Sequence, residues 1–184
     1  MTLQGRSLVL RPWTEADAPA LEAVCGDADV CRFTSVPWVY SSALAQEWVR
    51  RQRRYAAAGT GVVLAITRES GASPLGTVNL LGSGGNLRQA ALGYWLVPEA
   101  RGHGLAATAA AMVCAWGFEE MNLARIELAI LPENDASHRV AERLGAVREG
   151  VRRASHQADG RAWDMVIYSL TTSRRASRIT PPSP

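Results

Sequence analysis

The sequence predicts an α/β fold in which helices flank a mixed β-sheet, and three observations support this prediction. Short apolar runs, some alternating with polar residues, are bounded by Gly and Pro, as is typical of strands. Other segments space their apolar residues at helical intervals. The order is strand, two helices, three strands, helix, strand, helix, two strands, which favours helical layers around one sheet.

The N-terminal half is predicted to contain one strand, two helices and then three strands. Alternation over residues 7–13 indicates an outer strand, and Thr14 with Asp17 resembles the capping box of a helix. Ser41 and Ser42 can cap a second helix. Apolar runs rich in Val, Ile and Leu follow. The predicted boundaries are strand 7–13, helices 14–24 and 41–59, strands 61–67, 75–81 and 91–97, and a Gly-rich turn over 82–86.

The C-terminal half is predicted to alternate helix and strand before two final strands. Helical spacing begins at Leu105 and continues to about Glu120. Pro132 ends a strand, Asn134 can cap the next helix, and Gly145 fits its C-terminal stop. The predicted boundaries are helix 105–120, strand 125–131, helix 134–144, and strands 147–153 and 163–170.

Length and composition favour a single domain over residues 1–172, followed by a disordered tail over 173–184. The chain has 184 residues, and 47% of them are hydrophobic, which is enough for a core. The tail combines three prolines with Arg174, Arg175 and Arg178 and has no acid. Of 20 basic residues three therefore lie in the tail, so the rest of the chain balances its 17 acids. This balance argues against a nucleic-acid-binding domain.

Residue usage also excludes several kinds of site and location. The three cysteines form no Cys-x-x-Cys pair and the three histidines have no ligand spacing, so we expect neither disulfides nor a metal. Every basic residue is Arg, which excludes a Walker A lysine and a Schiff-base lysine. The N-terminus lacks a signal peptide, and no apolar run reaches the ~20 residues that span a bilayer. We therefore expect a cytoplasmic protein.

The junction between residues 97 and 106 is the strongest local signal for a ligand site. A predicted buried strand ends at Val97, and a predicted helix begins near Gly104. Helix N-termini attract anions through free N–H groups and a partial positive charge. Gly102 and Gly104 leave room for a phosphate, and Arg101 adds a formal charge. A tight strand-to-helix turn without a ligand explains these residues equally well.

Three blocks of the sequence together resemble the GNAT acyltransferase superfamily. Arg101, Gly104 and Ala106 match its cofactor signature, Arg/Gln-x-x-Gly-x-Gly/Ala after a buried strand. The strand 125–128 with segments 132–137 and 142–146 matches a second block, and residues 8–17 are similar to the first strand and helix. The resemblance covers about residues 6–171. It is strongest to the bacterial branch that acetylates the N-terminal amines of ribosomal proteins, a branch that also contains enzymes for other amines.

The resemblance implies a mixed, mostly antiparallel sheet that is flanked by helices and splayed at its two central strands. It also implies that acetyl-CoA lies in the splay and that a primary amine attacks it directly. Backbone N–H groups near Leu96 and Val97 would then bind the thioester carbonyl. The cofactor-binding residues implied are Leu96, Val97, Arg101, Gly102, His103, Gly104, Leu105, Ala106, Asn134 and Ser137.

The catalytic acid and base follow less directly from the resemblance. Many relatives place a Tyr seven residues after the Asn of the second block, but here that position is Ala141. We expect Ser137 to protonate the leaving thiolate instead, since it shares a helical face with three apolar residues. Glu127 is the candidate base, because its side chain alternates with the apolar face of its strand. A surface carboxylate paired with arginine is the competing interpretation of Glu127.

The acceptor is expected to be a primary amine, with the N-terminal α-amine of a protein or peptide favoured. An α-amine has a pKa of about 7.7–8.0, against about 10.4 for Lys, so it loses its proton more easily. Trp38, Trp48 and Tyr55 are candidates for the acceptor pocket, although core packing is the stronger explanation for each. Open alternatives are a small-molecule amine (polyamine, antibiotic or amino acid) and a non-catalytic acyl-CoA sensor. The protein is expected to be a monomer or a homodimer.

Overall fold

A computed structural model describes residues 1–24, 27–34, 41–68, 72–82, 88–158 and 160–172. The strands are β1 (Leu3–Gln4), β2 (Val9–Pro12), β3 (Gly61–Thr67), β4 (Gly76–Gly82), β5 (Gln89–Leu96), β6 (Arg125–Ile130), β7 (Val147–Ala158) and β8 (Arg161–Thr171). The helices are α1 (Ala18–Val24), α2 (Ala28–Phe33), α3 (Ser42–Ala57), α4 (Leu105–Glu119) and α5 (Asp135–Arg143). The predicted tail 173–184 lies outside the described residues, as does most of the predicted turn 82–86.

The described strands form one sheet in the order β1-β2-β3-β4-β5-β6-β8-β7. Strands β5 and β6 pair in parallel, and the other neighbours pair antiparallel. The parallel ladder joins only residues 89–91 to residues 125–127, so the C-terminal halves of both strands separate. The predicted mixed, mostly antiparallel sheet with two splayed central strands is therefore confirmed.

The sheet separates two cores because its side chains alternate between the two faces. On β3, Leu64 and Ile66 join the core under α4, whereas Val63 and Ala65 face α1 and α3. Fully burying one such aliphatic side chain contributes roughly 1.5–3 kcal/mol. The two cores hold the sheet between helical layers.

Helix α2 and strand β7 differ most from the sequence prediction. Helix α2 was missed because six residues with one buried side chain, Val30, give almost no periodicity. Asp27 starts it by accepting the Val30 N–H at 2.8 Å. Strand β7 continues past residue 153 to Ala158 as a largely exposed two-stranded ribbon with β8. Its polar composition concealed that extension, since pairing rather than burial maintains it.

Within the described part of the chain, no helix is both long enough and apolar enough to cross a membrane.

Candidate active site

The loop between β5 and α4 has the backbone geometry expected of an anion site. Gly102 and Gly104 have φ values of +79° and +73°, which L side chains rarely adopt. The first helical bond runs from the Thr108 N–H to the Gly104 carbonyl, so the N–H groups of residues 105–107 have no partner within the helix. The predicted loop residues Gly102, Gly104, Leu105 and Ala106 all border a cavity of about 290 Å³, the loop cavity.

Arg101 borders the loop cavity, but carboxylates from α2 and its cap already hold its guanidinium group. Its Nη2 donates to Asp27 at 2.6 Å and its Nη1 donates to Asp29 at 3.1 Å. Its Nε donates to the Leu96 carbonyl at 3.2 Å. Burial alone would raise the pKa of Asp27, but the bonds from Arg101 and Val30 lower it below its ordinary value. Arg101 was predicted to offer a free positive charge to a ligand. In the structure it instead links α2 to the loop.

Two arginines of α5 supply the positive charge that the sequence analysis assigned to Arg101. Arg139 and Arg143 are one helical turn apart, and both border the loop cavity. A Cβ added to Gly104 would lie 3.4 Å from Arg143 Nη1, so that guanidinium group stands beside the loop. Among the described residues neither arginine makes an ion pair. The sequence alone does not show that these two arginines lie beside the loop, because that depends on how α5 packs against it.

His103 and Val97 do not border either of the two cavities, although both were predicted to bind the cofactor. His103 is exposed to solvent. The Val97 N–H donates to the Leu75 carbonyl at 2.9 Å, which removes it as a donor to a ligand. Alternate residues of a strand direct their backbone groups to opposite edges, so the Leu96 N–H points towards the gap beside β6. Leu96 borders the loop cavity.

A second cavity, of about 620 Å³, is bordered by residues of both β5 and β6. We call it the aromatic cavity, because Phe33, Trp48, Tyr55, Tyr94 and Trp95 border it. The predicted pocket residues Trp48 and Tyr55 both pack on the core and face this cavity, whereas Trp38 lies outside the described residues. The residues that border both cavities are Phe33, Thr34, Tyr94, Trp95, Asn134 and Ser137.

Ser137 lies where the two cavities meet, and the cap of α5 leaves its hydroxyl free. As predicted, Asn134 caps the helix, and its Oδ1 accepts the Ser137 N–H at 3.1 Å. The Ser137 Oγ has no partner within the cap, and the Ser137 side chain instead interacts with the Tyr94 hydroxyl, an interaction that lowers the pKa of Tyr94 against the larger effect of burial. Ala141, one turn further along, is fully buried and contributes no polar group.

Tyr94 brings a second hydroxyl to this junction that the sequence analysis missed. It donates to the Ser137 carbonyl at 3.5 Å, and burial raises the pKa of Tyr94 to about 12. The hydroxyl therefore stays protonated at neutral pH. The apolar run of β5 concealed it, because nothing in that pattern separates a core tyrosine from one that reaches a cleft.

Glu127 lies outside the residues that border the two cavities, so the geometry does not support a role as base. Its carboxylate accepts from Arg125 at 3.1 Å and from Arg152 at 2.9 Å. Arg125 also binds Glu149, and hydrogen bonds from Arg125 and Ser169 lower the pKa of Glu149 to about 2. The alternation along β6 directs Glu127 into this surface network beside β7 and β8, which fits the competing interpretation.

The sequence and the fold both match known acetyltransferases. A family profile described as the acetyltransferase (GNAT) domain matches residues 7–147. The chain is 27% identical over 172 residues to the uncharacterized N-acetyltransferase YoaA of Bacillus subtilis, a match that covers 94% of the chain and 97% of that protein. It is 35% identical over 83 residues, 45% of each chain, to the putative ribosomal N-acetyltransferase YdaF of the same species.

The fold also matches the solved structure of Mycobacterium smegmatis RimJ in complex with CoA-disulfide. The TM-score is 0.80 and the identity 25%, over 95% of this chain and 87% of RimJ. Together with YdaF, this match supports the expected resemblance to the ribosomal branch. It also supports acetyl-CoA as the cofactor of this chain.

Proposed function

The chain belongs to the GNAT acetyltransferase family, and from this premise we propose that it acetylates the N-terminal α-amine of a protein or peptide. It is an N-acetyltransferase that uses acetyl-CoA. One observation carries the choice of acceptor. Among the described residues, the aromatic cavity is bordered by no carboxylate and no histidine, so no general base faces the incoming amine.

The residues around the loop cavity fit the phosphates of coenzyme A. No heavy atom lies within 4 Å of the position that a Cβ would take at Gly102, so the backbone there is open to a ligand. The free N–H groups at the start of α4 and the unpaired guanidinium groups of Arg139 and Arg143 face the same cavity. These groups would hold the pyrophosphate, and Arg101 would keep α2 against the loop.

Acetyl-CoA supplies a thioester whose carbonyl carbon a deprotonated amine can attack. The Leu96 N–H, directed into the gap, is the donor we assign to the acyl oxygen. The Ser137 Oγ is the group we assign to the departing sulfur, to which it donates a proton. Solvent takes the proton that the amine nitrogen loses as the amide forms, and it restores the Ser137 proton, because Ser137 borders both cavities and neither is closed off from its surroundings.

The absence of a base among the described cavity residues favours an acceptor that is partly deprotonated before it binds. At neutral pH an α-amine with a pKa of about 7.7–8.0 has an appreciable neutral fraction, whereas a Lys amine with a pKa of about 10.4 has very little. The difference of about 2.5 units corresponds to roughly 3.4 kcal/mol. YdaF, named a putative ribosomal N-acetyltransferase, supports a protein as the source of this amine.

Matched peptides test this choice of acceptor. One peptide carries a free N-terminus and an acetylated lysine, and the other carries a blocked N-terminus and a free lysine. We expect release of free thiol from acetyl-CoA to be at least about tenfold faster with the first peptide at pH 7, and the ratio to narrow as the pH rises. Mass spectrometry locates the acetyl group. Faster turnover of the lysine-only peptide would overturn the proposal, and turnover of small amines alone would assign the small-molecule alternative.

A further inference from the structure

The charge that borders the aromatic cavity is positive, although we propose that this cavity receives an amine. Arg51, on α3, is the one charged side chain that borders it among the described residues. The other polar groups there are amides and hydroxyls, from Gln52, Asn79, Thr34 and Thr77 among others. An amine enters as a cation or as a neutral molecule, and a cationic border repels further positive charge on the same acceptor.

Arg51 is available to a ligand. It is exposed, and among the described residues it makes neither a hydrogen bond nor an ion pair. Its neighbour Arg50 lies 4.0 Å from Glu15, which is the limit of an ion pair. The sequence of α3 is basic from residue 50 to residue 54, with Arg at every position except Gln52. Neither Arg50 nor Arg54 borders the cavity, so among the described residues the charge at its border comes from Arg51.

No acid among the described residues pairs with Arg51, and this includes Glu47, which lies one helical turn before it on α3. Asp27 and Asp29 are bound to Arg101, and Glu133 accepts from Arg32 at 3.1 Å. The segment 35–40 follows α2 and lies outside the described residues, but its sequence contains no Asp or Glu. A polyamine or another polycationic acceptor would find no carboxylate here to bind its additional ammonium groups.

The rest of the cavity can hold the body of a short peptide. The rings of Trp48 and Tyr55 offer apolar surface. A Cβ at Gly93 would lie 2.8 Å from the Asn79 Nδ2, so the Asn79 carboxamide occupies the space that this glycine leaves above β5. That amide can pair with a peptide group of the acceptor.

We propose that the aromatic cavity selects amines that carry a carboxylate close by, and that Arg51 is the residue that reads this carboxylate. The proposal rests on the proposed function for its acceptor, a peptide N-terminus, and adds that one of the residues next to that N-terminus is Asp or Glu. The guanidinium group forms a charge-assisted bond with the carboxylate while the α-amine lies at the junction beside Ser137.

The test compares three peptides that share an N-terminal Ser and an amidated C-terminus. Residues 2–4 are all Glu in the first peptide, all Gln in the second and all Lys in the third. The value of kcat/KM for each peptide is measured by thiol release. We expect the wild type to prefer the Glu peptide to the Gln peptide by about fivefold, and the Lys peptide to be the poorest substrate. Arg51→Gln should bring the Glu and Gln peptides within about twofold of each other, whereas the control Arg50→Gln keeps the preference.

Ionic strength and cofactor affinity separate this effect from general damage. Raising the salt concentration should weaken the wild-type preference, because an exposed charge pair is screened. The dissociation constant for acetyl-CoA should be the same in Arg51→Gln as in the wild type. Equal kcat/KM for the Glu and Gln peptides in the wild type, or a preference that survives in Arg51→Gln, overturns the role of Arg51.

A second pair of acceptors tests the role of Arg51 even if the proposed function fails. If no peptide is acetylated but small amines are, the α-amine proposal fails. Glutamic acid α-amide and glutamine α-amide then form the matched pair, since they differ in the side-chain carboxylate and both keep an amide beside the α-amine. A preference for glutamic acid α-amide that Arg51→Gln removes supports the inference for a small acceptor, and equal turnover of the two overturns it.

Discussion

The two cavities that meet at Tyr94 and Ser137 are built in opposite ways. The loop cavity depends on the backbone, through two glycines with positive φ and the free N–H groups at the start of α4. The aromatic cavity depends on side chains that come from α2, α3, α5, β3, β4, β5, β6 and β8. A site made by the backbone tolerates changes of side chain, whereas a site made by side chains changes its specificity when a few of them change.

This contrast predicts that a substitution in each region changes a different kinetic quantity. Changes at the loop should raise the dissociation constant for acetyl-CoA, and changes in the aromatic cavity should alter KM for the acceptor. Changes at the junction should slow the chemical step. A substitution that altered all three quantities together would show that the two cavities are not independent.

The largest effect is expected at the junction, from Ser137→Ala. The Oγ would bond only the developing thiolate, so its loss affects the transition state more than the ground state. We expect the rate constant for acetyl transfer to fall about ten- to a hundredfold, at or just below the usual range for general acid catalysis. Single-turnover kinetics with saturating acceptor measures this step.

Tyr94→Phe is the matched control, because it removes the other hydroxyl of the junction and retains the ring. That hydroxyl already donates to the Ser137 carbonyl, so its loss should change the transfer rate less than about threefold. A large loss in Tyr94→Phe with a normal rate in Ser137→Ala would make Tyr94 the donor. Normal rates in both variants would leave solvent as the proton source.

A smaller effect, on binding alone, is expected from Gly104→Val in the loop. A β-branched residue is strained at φ +73°, and its Cβ would meet the Arg143 guanidinium group at 3.4 Å. We expect the dissociation constant for acetyl-CoA to rise at least about tenfold, which calorimetry can measure. Gly59→Val is the control, since Gly59 has φ +65° and open space around it, at the end of α3. Equal affinity in both variants would contradict the assignment of the loop.

The same contrast explains which parts of the molecule the sequence predicts. Features that depend on neighbouring residues were predictable: the glycine loop, the Asn134 cap and the breaks at Pro132 and Gly145. The splay of β5 and β6 was predictable only through the family resemblance, since no local pattern indicates where a ladder ends.

Features that depend on the docking of distant elements were not predictable. Arg101 was expected to face a phosphate, but α2, a helix that the sequence analysis missed, brings two carboxylates to it. Glu127 fitted the alternation of its strand, but only the pairing of β6 with β8 and of β8 with β7 brings Arg152 to it, beside Arg125 of its own strand. Tyr94 and Arg51 carry no signal in the sequence, because their importance arises where two elements meet.

The smallest effect is expected from Arg143→Gln, and it tests whether side chains contribute to the loop cavity at all. The guanidinium group stands beside Gly104 and has no acidic partner among the described residues, so its charge is available to a phosphate. Exposed charge pairs contribute about 0.2–1 kcal/mol, so we expect the dissociation constant for acetyl-CoA to rise about two- to fivefold. Raising the salt concentration should shrink the difference from wild type. Arg148→Gln, an exposed arginine of β7 that borders neither cavity, is the control for net charge. If both variants lose the same affinity, the effect comes from the overall field of the protein, and the loop cavity binds through its backbone alone.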